Sequence, residues 1–332
     1  MLSRDIGIDL GTANVLVYVK GRGIVLDEPS IVAIDTSTGK ALEVGEEAYR
    51  MIGRTPGNIV AIRPLKEGVI ADFDITEMML KHFLDKINVK GFLAKPRILI
   101  CVPTNITSVE KKAIKEAAEK SGGKQIFLEE EPKVAAIGAG MEIFQPSGNM
   151  VIDIGGGTTD IAVLSMGDIV TSTSIKVAGD NFDQAILDFI KKKYKLLIGE
   201  RTAEEIKVNV ATVFPGARNE QIEIRGRDLV TGLPRTITVT SEEVRGALEE
   251  SVSHLIQAAK SVLEQTPPEL SADIIDRGVI LTGGGALLHG MEQLFSDELK
   301  VPVIVAEEPM SCVAKGTGLM LEHIDKLAKT KV

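Results

Sequence analysis

Cysteine is nearly absent: the chain has two, Cys101 and Cys312. Two thiols cannot build a disulfide framework or a thiolate metal cluster, and they fit a reducing, cytoplasmic setting. The four histidines, His82, His254, His289 and His323, are scattered with no ligand spacing, so no metal role is expected of them. Positive charge is not in excess. Lys and Arg number 38 against 47 Asp and Glu, a net charge of −9, and no global basic field favours nucleic acid as a partner. No apolar run approaches the roughly 18 residues needed to span a bilayer. The opening MLSRDIGIDL enters a strand-like pattern at once, leaving no room for a secretion signal.

What is present is length and glycine. A chain of 332 residues is too long for one simple core, so two domains are expected. Residues 4–19 read as a hairpin, with Ile6, Ile8 and Leu10 alternating on one arm and Val15, Val17 and Val19 on the other. Residues 24–34 and 97–102 read as strands. Residues 76–88 predict a helix, with Met79, Phe83 and Ile87 at spacing four and Asp74 near its start. Thr107-Ser108-Val109-Glu110 is a capping box that opens a helix running to about Lys120. A strand over 125–128 and a helix over 131–141 follow.

The second half restarts this order. Strands are expected within 150–173, then a helix face of Phe182, Ala185, Ile186, Phe189 and Ile190. A helix over 202–210 carries a second capping-box pattern, Thr202 to Glu205. Strands within 221–239 are expected to break at Gly226 and at Gly232-Leu233-Pro234. A long helix over 240–263 is stopped by Pro267-Pro268. Strands over 274–281 and 301–306, and helices over 286–295 and 318–327, complete the reading. Two α/β domains built on one plan follow from it.

Three glycine loops carry the chemistry. Asp9-Leu10-Gly11-Thr12-Ala13-Asn14 and Asp153-Ile154-Gly155-Gly156-Gly157-Thr158-Thr159-Asp160 share one design, an acid at a strand end followed by glycine and threonine. Glycine permits close backbone approach, and successive free N–H groups form an anion-binding nest. Thr12 and Thr158 add hydroxyl donors. Neither loop is a GxxxxGKS/T or GxGxxG motif. A glycine-rich hairpin that binds nothing is common, but two related loops can hold a polyphosphate from both sides of a cleft. Asp9 and Asp153 would repel phosphate unless a hydrated Mg²⁺ bridged carboxylate to phosphate. The third loop, Leu281-Thr282-Gly283-Gly284-Gly285-Ala286-Leu287-Leu288, lies between a strand and a helix and suits the flat face of a nucleoside.

In this order the three loops resemble the superfamily of actin, heat-shock ATPase chaperones and sugar kinases. The text RPLKEGVIADF (63–73), LEEEPKVAAIGAG (128–140), KLLIGERTAEEIK (195–207) and IRGRDLVTGLP (224–234) is similar to the MreB family of bacterial actins. GTANVLVYVKG and the TTD ending of the second loop resemble its Mbl branch in Gram-positive bacteria. The resemblance covers essentially the whole chain. It implies an actin-like, duplicated ribonuclease H-like fold: two domains, each a mixed sheet flanked by helices, with a nucleotide cleft between them. Domain I is expected over 1–145 with a small insertion about 32–74, and domain II over 146–332 with an insertion about 181–243.

The resemblance also assigns roles. Thr12, Ala13 and Asn14 would contact phosphate from one half, and Gly155, Gly156, Gly157 and Thr158 from the other. Glu204, Glu205, Ile206 and Lys207, with Gly284, Gly285, Ala286 and Leu287, would contact ribose and base. Glu131 would orient or deprotonate the attacking water, helped by Thr158. ATP, ADP and Mg²⁺ are the implied ligands, the last through Asp9 and Asp153.

The implied function is a slow ATPase that polymerises into polar protofilaments, paired antiparallel. They would lie beneath the cell membrane and organise peptidoglycan synthesis, for rod shape, with the wall-elongation machinery. Phe92 and Leu93, between Lys90 and Lys95, would insert into the inner leaflet. Two alternatives belong to the same superfamily. A small-molecule kinase needs an acceptor site with its own base, for which no motif is found. A chaperone-type ATPase needs a peptide-binding domain, and no such segment follows the nucleotide motifs.

Overall fold

The computed structural model describes residues 5–87 and 96–322. Phe92 and Leu93 therefore lie outside the described residues. Two five-stranded sheets organise the chain, and they share one topology. In the first, Ile6–Leu10 is central. Asn14–Val19 and Gly23–Pro29 extend it antiparallel on one side, and Arg97–Val102 and Gln125–Glu130 add in parallel on the other. In the second, Asn149–Ile154 is central. Thr159–Ser165 and Asp168–Ile175 extend it antiparallel, and Val279–Thr282 and Val303–Val305 add in parallel. The duplication expected from the twin acid-glycine loops is thus a duplication of sheet order.

Each half carries an insertion between its third and fourth strands. The first holds a three-stranded sheet, Lys40–Val44, Val32–Asp35 and Ile59–Ile62, with the short helix Glu46–Met51. The second holds Leu196–Leu197, Gln221–Asp228 and Pro234–Thr240 with the helix Glu200–Asn209. The two insertions touch: Tyr49 of the first meets Glu204 and Arg201 of the second.

A seam joins the halves. Helices Glu131–Gly138 and Cys312–Leu321 pack together and close a core of Leu99, Phe127, Val134, Val151, Leu164 and Leu321. Their axes approach closely because glycine sits at the crossing. A Cβ on Gly316 would stand 2.0 Å from the Val134 carbonyl oxygen, and one on Gly138 would stand 1.8 Å from that of Cys312. Glu131 opens the first of these helices, so the seam fixes its position between the sheets.

Several expectations shift. The helix expected from 76 spans Phe73–Lys86, and its cap is Asp72, whose Oδ1 accepts from the Ile75 N–H at 3.0 Å; Asp74 lies inside. The Thr107–Glu110 capping box is present, but the one expected at Thr202 is not. That helix starts at Glu200 behind Gly199, which places Thr202 within its first turn. Gly226 does not break its strand: it pairs with Arg235 in the register of Gln221–Asp228. Residues 274–277 are helical rather than extended. Pro268 begins a helix, Pro268–Arg277, because its fixed φ suits a first turn, and the strand starts only at Val279.

Candidate functional site

The two related turns meet. Thr12 and Ala13 connect the first hairpin, and Gly155–Thr158 connects its counterpart. A Cβ on Gly157 would come within 2.5 Å of Thr12 Oγ1, and one on Gly156 within 2.7 Å of the Ala13 Cβ. Only glycine lets these backbones approach so closely. A third segment closes on both. The Gly68 N–H donates to Thr12 Oγ1 at 3.0 Å, and a Cβ on Gly68 would meet Thr158 Cγ2 at 3.0 Å. Ser30 braces the first turn, donating its hydroxyl to the Gly11 carbonyl at 2.6 Å and its N–H to that of Ala13 at 2.8 Å. Asn14 is engaged at the strand start, donating to Asp27 Oδ1 at 2.9 Å.

The start of the helix Gly179–Tyr194, two strands later in the chain, packs against the second turn. The Gly179 N–H donates to the Gly155 carbonyl at 3.1 Å, and that of Asp180 to the Gly156 carbonyl at 2.8 Å. Lys207, from helix Glu200–Asn209, pairs with Asp183 at 2.8 Å and reaches the Gly179 carbonyl at 3.5 Å. Glu204 lies one turn earlier and accepts a hydrogen bond from the Tyr49 hydroxyl. Glu205 is exposed, and Ile206 packs into the domain core, leaving only its backbone for the cleft. The third loop flanks the same turn. Gly283 and Gly285 are held against Ile154, where Cβ atoms would meet its carbonyl oxygen at 2.3 Å and its Cγ2 at 2.2 Å. Gly284 is open and Leu287 is exposed, so this rim can receive a flat group, while Ala286 is buried beneath it.

Four carboxyl groups form the floor. Burial, then Asp153 and Asp27, push the Asp9 carboxyl up to about 8. Burial raises Asp153 to about 7 despite a 2.9 Å hydrogen bond from the Thr282 hydroxyl, and Asp160 adds to the rise. Burial, with Asp160, Asp9 and Asp153, holds Glu131 well above the usual carboxylate range. Burial also raises Asp160, although the Thr104 N–H and hydroxyl donate to its Oδ1 at 2.9 and 3.0 Å. Its Oδ2 is buried with no hydrogen-bond partner among the described residues. The main charges acting on Asp9, Glu131 and Asp153 are those of other acids.

Such a cluster is disfavoured as it stands and calls for positive charge. Hard oxygen donors fit Mg²⁺. Among the described residues no three His, Cys, Asp or Glu side chains are grouped to hold a metal ion by themselves.

The predicted site residues Thr12, Ala13, Gly155–Thr158, Asp9, Asp153, Glu131, Lys207 and Gly285 are therefore brought together around the two turns. Sequence reasoning missed Ser30, Gly68, Thr104, Gly179 and Tyr49. Each acts through a partner far along the chain, and no local pattern marks it.

The family described as MreB/Mbl protein matches residues 3–329. The chain is 76% identical over its full length to the whole of the cell shape-determining protein Mbl of Bacillus subtilis. It is 50% identical to the cell shape-determining protein MreB of Escherichia coli, over 98% of this chain and 95% of that one. Among solved structures, MreB5 of Spiroplasma citri bound to AMPPNP superposes with a TM-score of 0.95 at 39% identity, covering all of both chains. The MamK double helical filament subunit shares the fold at 22% identity, with a TM-score of 0.83 over 97% of this chain and 99% of that one. The chain is a member of the MreB/Mbl family of actin-like proteins, and within it is Mbl-like.

Proposed function

We propose that this chain is a cytoskeletal ATPase: it binds ATP with Mg²⁺ in the cleft, hydrolyses it slowly, and polymerises head to tail into polar, antiparallel-paired protofilaments. Those filaments lie at the inner face of the cell membrane and organise wall synthesis for rod shape. The observation that carries the reading is the meeting of the twin turns beside a group of buried and half-buried acids. The cell shape-determining relatives, and the nucleotide-bound structures of the Spiroplasma relative, support it. Domain I runs over 1–145 with an insertion about 32–74, and domain II over 146–332 with an insertion about 181–243.

In this reading, the backbone and hydroxyl donors of Thr12, Ala13 and Asn14, and those of Gly155–Thr158, hold the phosphates from opposite walls. Glu204, Glu205, Ile206 and Lys207 take the ribose and base on one side, and Gly284, Gly285, Ala286 and Leu287 on the other. Asp9 and Asp153 would hold magnesium through water, and it would supply the charge that lets acids and phosphates share the cleft. Glu131 accepts a proton from the attacking water, and Thr158 helps to hold that water. The water oxygen bonds to the γ-phosphorus as its bond to the ADP oxygen breaks, giving ADP and phosphate. The raised proton affinity of Glu131 suits it to this task. Triphosphate gripped by both halves fixes their relative orientation, and its cleavage loosens that hold. Head-to-tail contacts are heterologous and extend without closing.

Electron microscopy of the purified chain on anionic vesicles, with ATP or AMPPNP, tests this. Paired filaments are expected with nucleotide and not without it. Failure to assemble under both nucleotides would overturn the reading.

A further inference from the structure

One side-chain contact ties the two insertions together across the cleft mouth. Tyr49 stands on helix Glu46–Met51 of the first insertion. Its hydroxyl donates to Glu204 Oε2 on helix Glu200–Asn209 of the second, 155 residues away in sequence. The same ring lies beneath Arg201, whose guanidinium carbon is 5.1 Å from the ring centre. Burial and the bond to Glu204 push the phenol up to about 12, so it stays a donor at neutral pH. Arg201 and Glu204, three residues apart on one face of that helix, thus clamp one aromatic side chain.

We infer that Tyr49 is a positioning residue for ribose recognition: by occupying one oxygen of Glu204 it aims the other at the sugar hydroxyls, and it does so only when the cleft is closed. This inference rests on the proposed function, in which Glu204 contacts ribose.

The physical argument is one of ordering. A free glutamate on a helix surface has three rotatable bonds, and fixing it costs rotamer freedom. A carboxylate has about four acceptor positions on its two oxygens. Tyr49 engages Oε2 and leaves Oε1 free to accept from a hydroxyl. Because Tyr49 rides on the other half of the molecule, Glu204 is aimed only while the insertions are together. Ribose binding and closure then favour each other by the same factor. The phosphates are gripped by the turns at the cleft floor, which this contact does not touch. The phenol therefore governs discrimination at the sugar rather than the hold on phosphate.

The experiment compares the affinities of ATP, 2′-deoxy-ATP and 3′-deoxy-ATP by displacement of a base-labelled fluorescent ATP. It uses the full chain and its Tyr49→Phe and Glu204→Ala variants. Tyr49→Phe removes one oxygen and keeps the ring under Arg201, and thermal melting without nucleotide verifies that the fold is retained. Wild type is expected to prefer ATP over at least one deoxy analogue by about tenfold, the effect of one hydrogen bond to a charged group. Tyr49→Phe should narrow that gap severalfold and leave the deoxy analogue nearly as well bound as by wild type. Glu204→Ala should abolish the gap. The inference is overturned if Tyr49→Phe keeps the wild-type gap, or weakens all three nucleotides equally. A wild type that binds ATP without discriminating at the sugar overturns it alone. A wild type that binds no ATP overturns the proposed function as well.

Discussion

Gly156 and Ala13 approach so closely that one added carbon would force their loops apart: a Cβ on Gly156 would lie 2.7 Å from the Ala13 Cβ and 3.1 Å from the Ala13 nitrogen. The two residues belong to different halves of the chain, and each sits in a turn proposed to hold phosphate. Gly156→Ala therefore separates the walls of the cleft without touching either hydrophobic core. Overpacking of this kind costs about 1–3 kcal/mol. ATP affinity measured calorimetrically should fall by about tenfold or more, while the variant still folds. Wild-type affinity in Gly156→Ala would mean the turns do not act on one ligand.

The acid floor makes a prediction about pH. Asp9 and Asp153 titrate at about 8 and about 7, far above their values in an unfolded chain. The folded form thus binds more protons than the unfolded form between about pH 4 and pH 8. Each ionised carboxyl destabilises the fold at the upper end of that window, and protonation relieves it as pH falls. Protein freed of divalent cations and nucleotide should melt higher at pH 6 than at pH 8, by roughly 2 °C or more. Asp9→Asn should raise the melting temperature at pH 8 and flatten the pH dependence. A melting temperature that falls from pH 8 to pH 6, with no change in slope in the variant, counts against a strained acid cluster. The same strain is what magnesium and phosphate would relieve, so the variant gains stability as it loses nucleotide binding.

Much of this was legible in the sequence because it is local. The alternation of Ile6, Ile8 and Leu10 against Val15, Val17 and Val19 specifies a hairpin, and the observed register pairs Ile6 with Val19 and Ile8 with Val17. Thr107 and Glu110 specify a helix start by two bonds that both form. Thr202 and Glu205 present the same letters three residues apart, yet the helix has already begun at Glu200, so the hydroxyl has no free cap to fill. Ile274 and Ile275 read as strand because apolar pairs do not reveal their period. Pro268 at a helix start decided otherwise. The site divides in the same way. Acid and glycine at the turns announce themselves, whereas the bond from Thr104 to Asp160 joins residues 56 apart across the two halves.

The proposed membrane contact rests on the sequence around Lys90, Phe92, Leu93 and Lys95. Two bulky apolar residues flanked by lysines give marginal affinity alone, and a filament multiplies it by avidity. Phe92→Ala combined with Leu93→Ala should abolish co-sedimentation with anionic vesicles while ATP affinity stays at the wild-type level. Pelleting that persists in the double variant would remove these two residues from the account.

Glu131, the carboxylate proposed to activate the water, opens the seam helix, and Asp160 is the neighbouring acid that raises it most. Its neighbour Glu130 stands outside this arrangement: Glu130 ends the edge strand Gln125–Glu130 and is raised mainly by partial burial, with no acid of the floor among its chief influences. Glu131→Ala removes the base and leaves the phosphate-holding turns intact. Phosphate release should drop by about tenfold or more, since general base catalysis is commonly worth that much, and ATP affinity should change little. In wild type the rate should climb with pH as the raised carboxyl of Glu131 loses its proton, because only the ionised form can accept one from water. That limb of the pH profile should vanish in Glu131→Ala and persist in Glu130→Ala. A Glu131→Ala chain that hydrolyses at the wild-type rate would transfer the role to another group, with Asp160 the next to test.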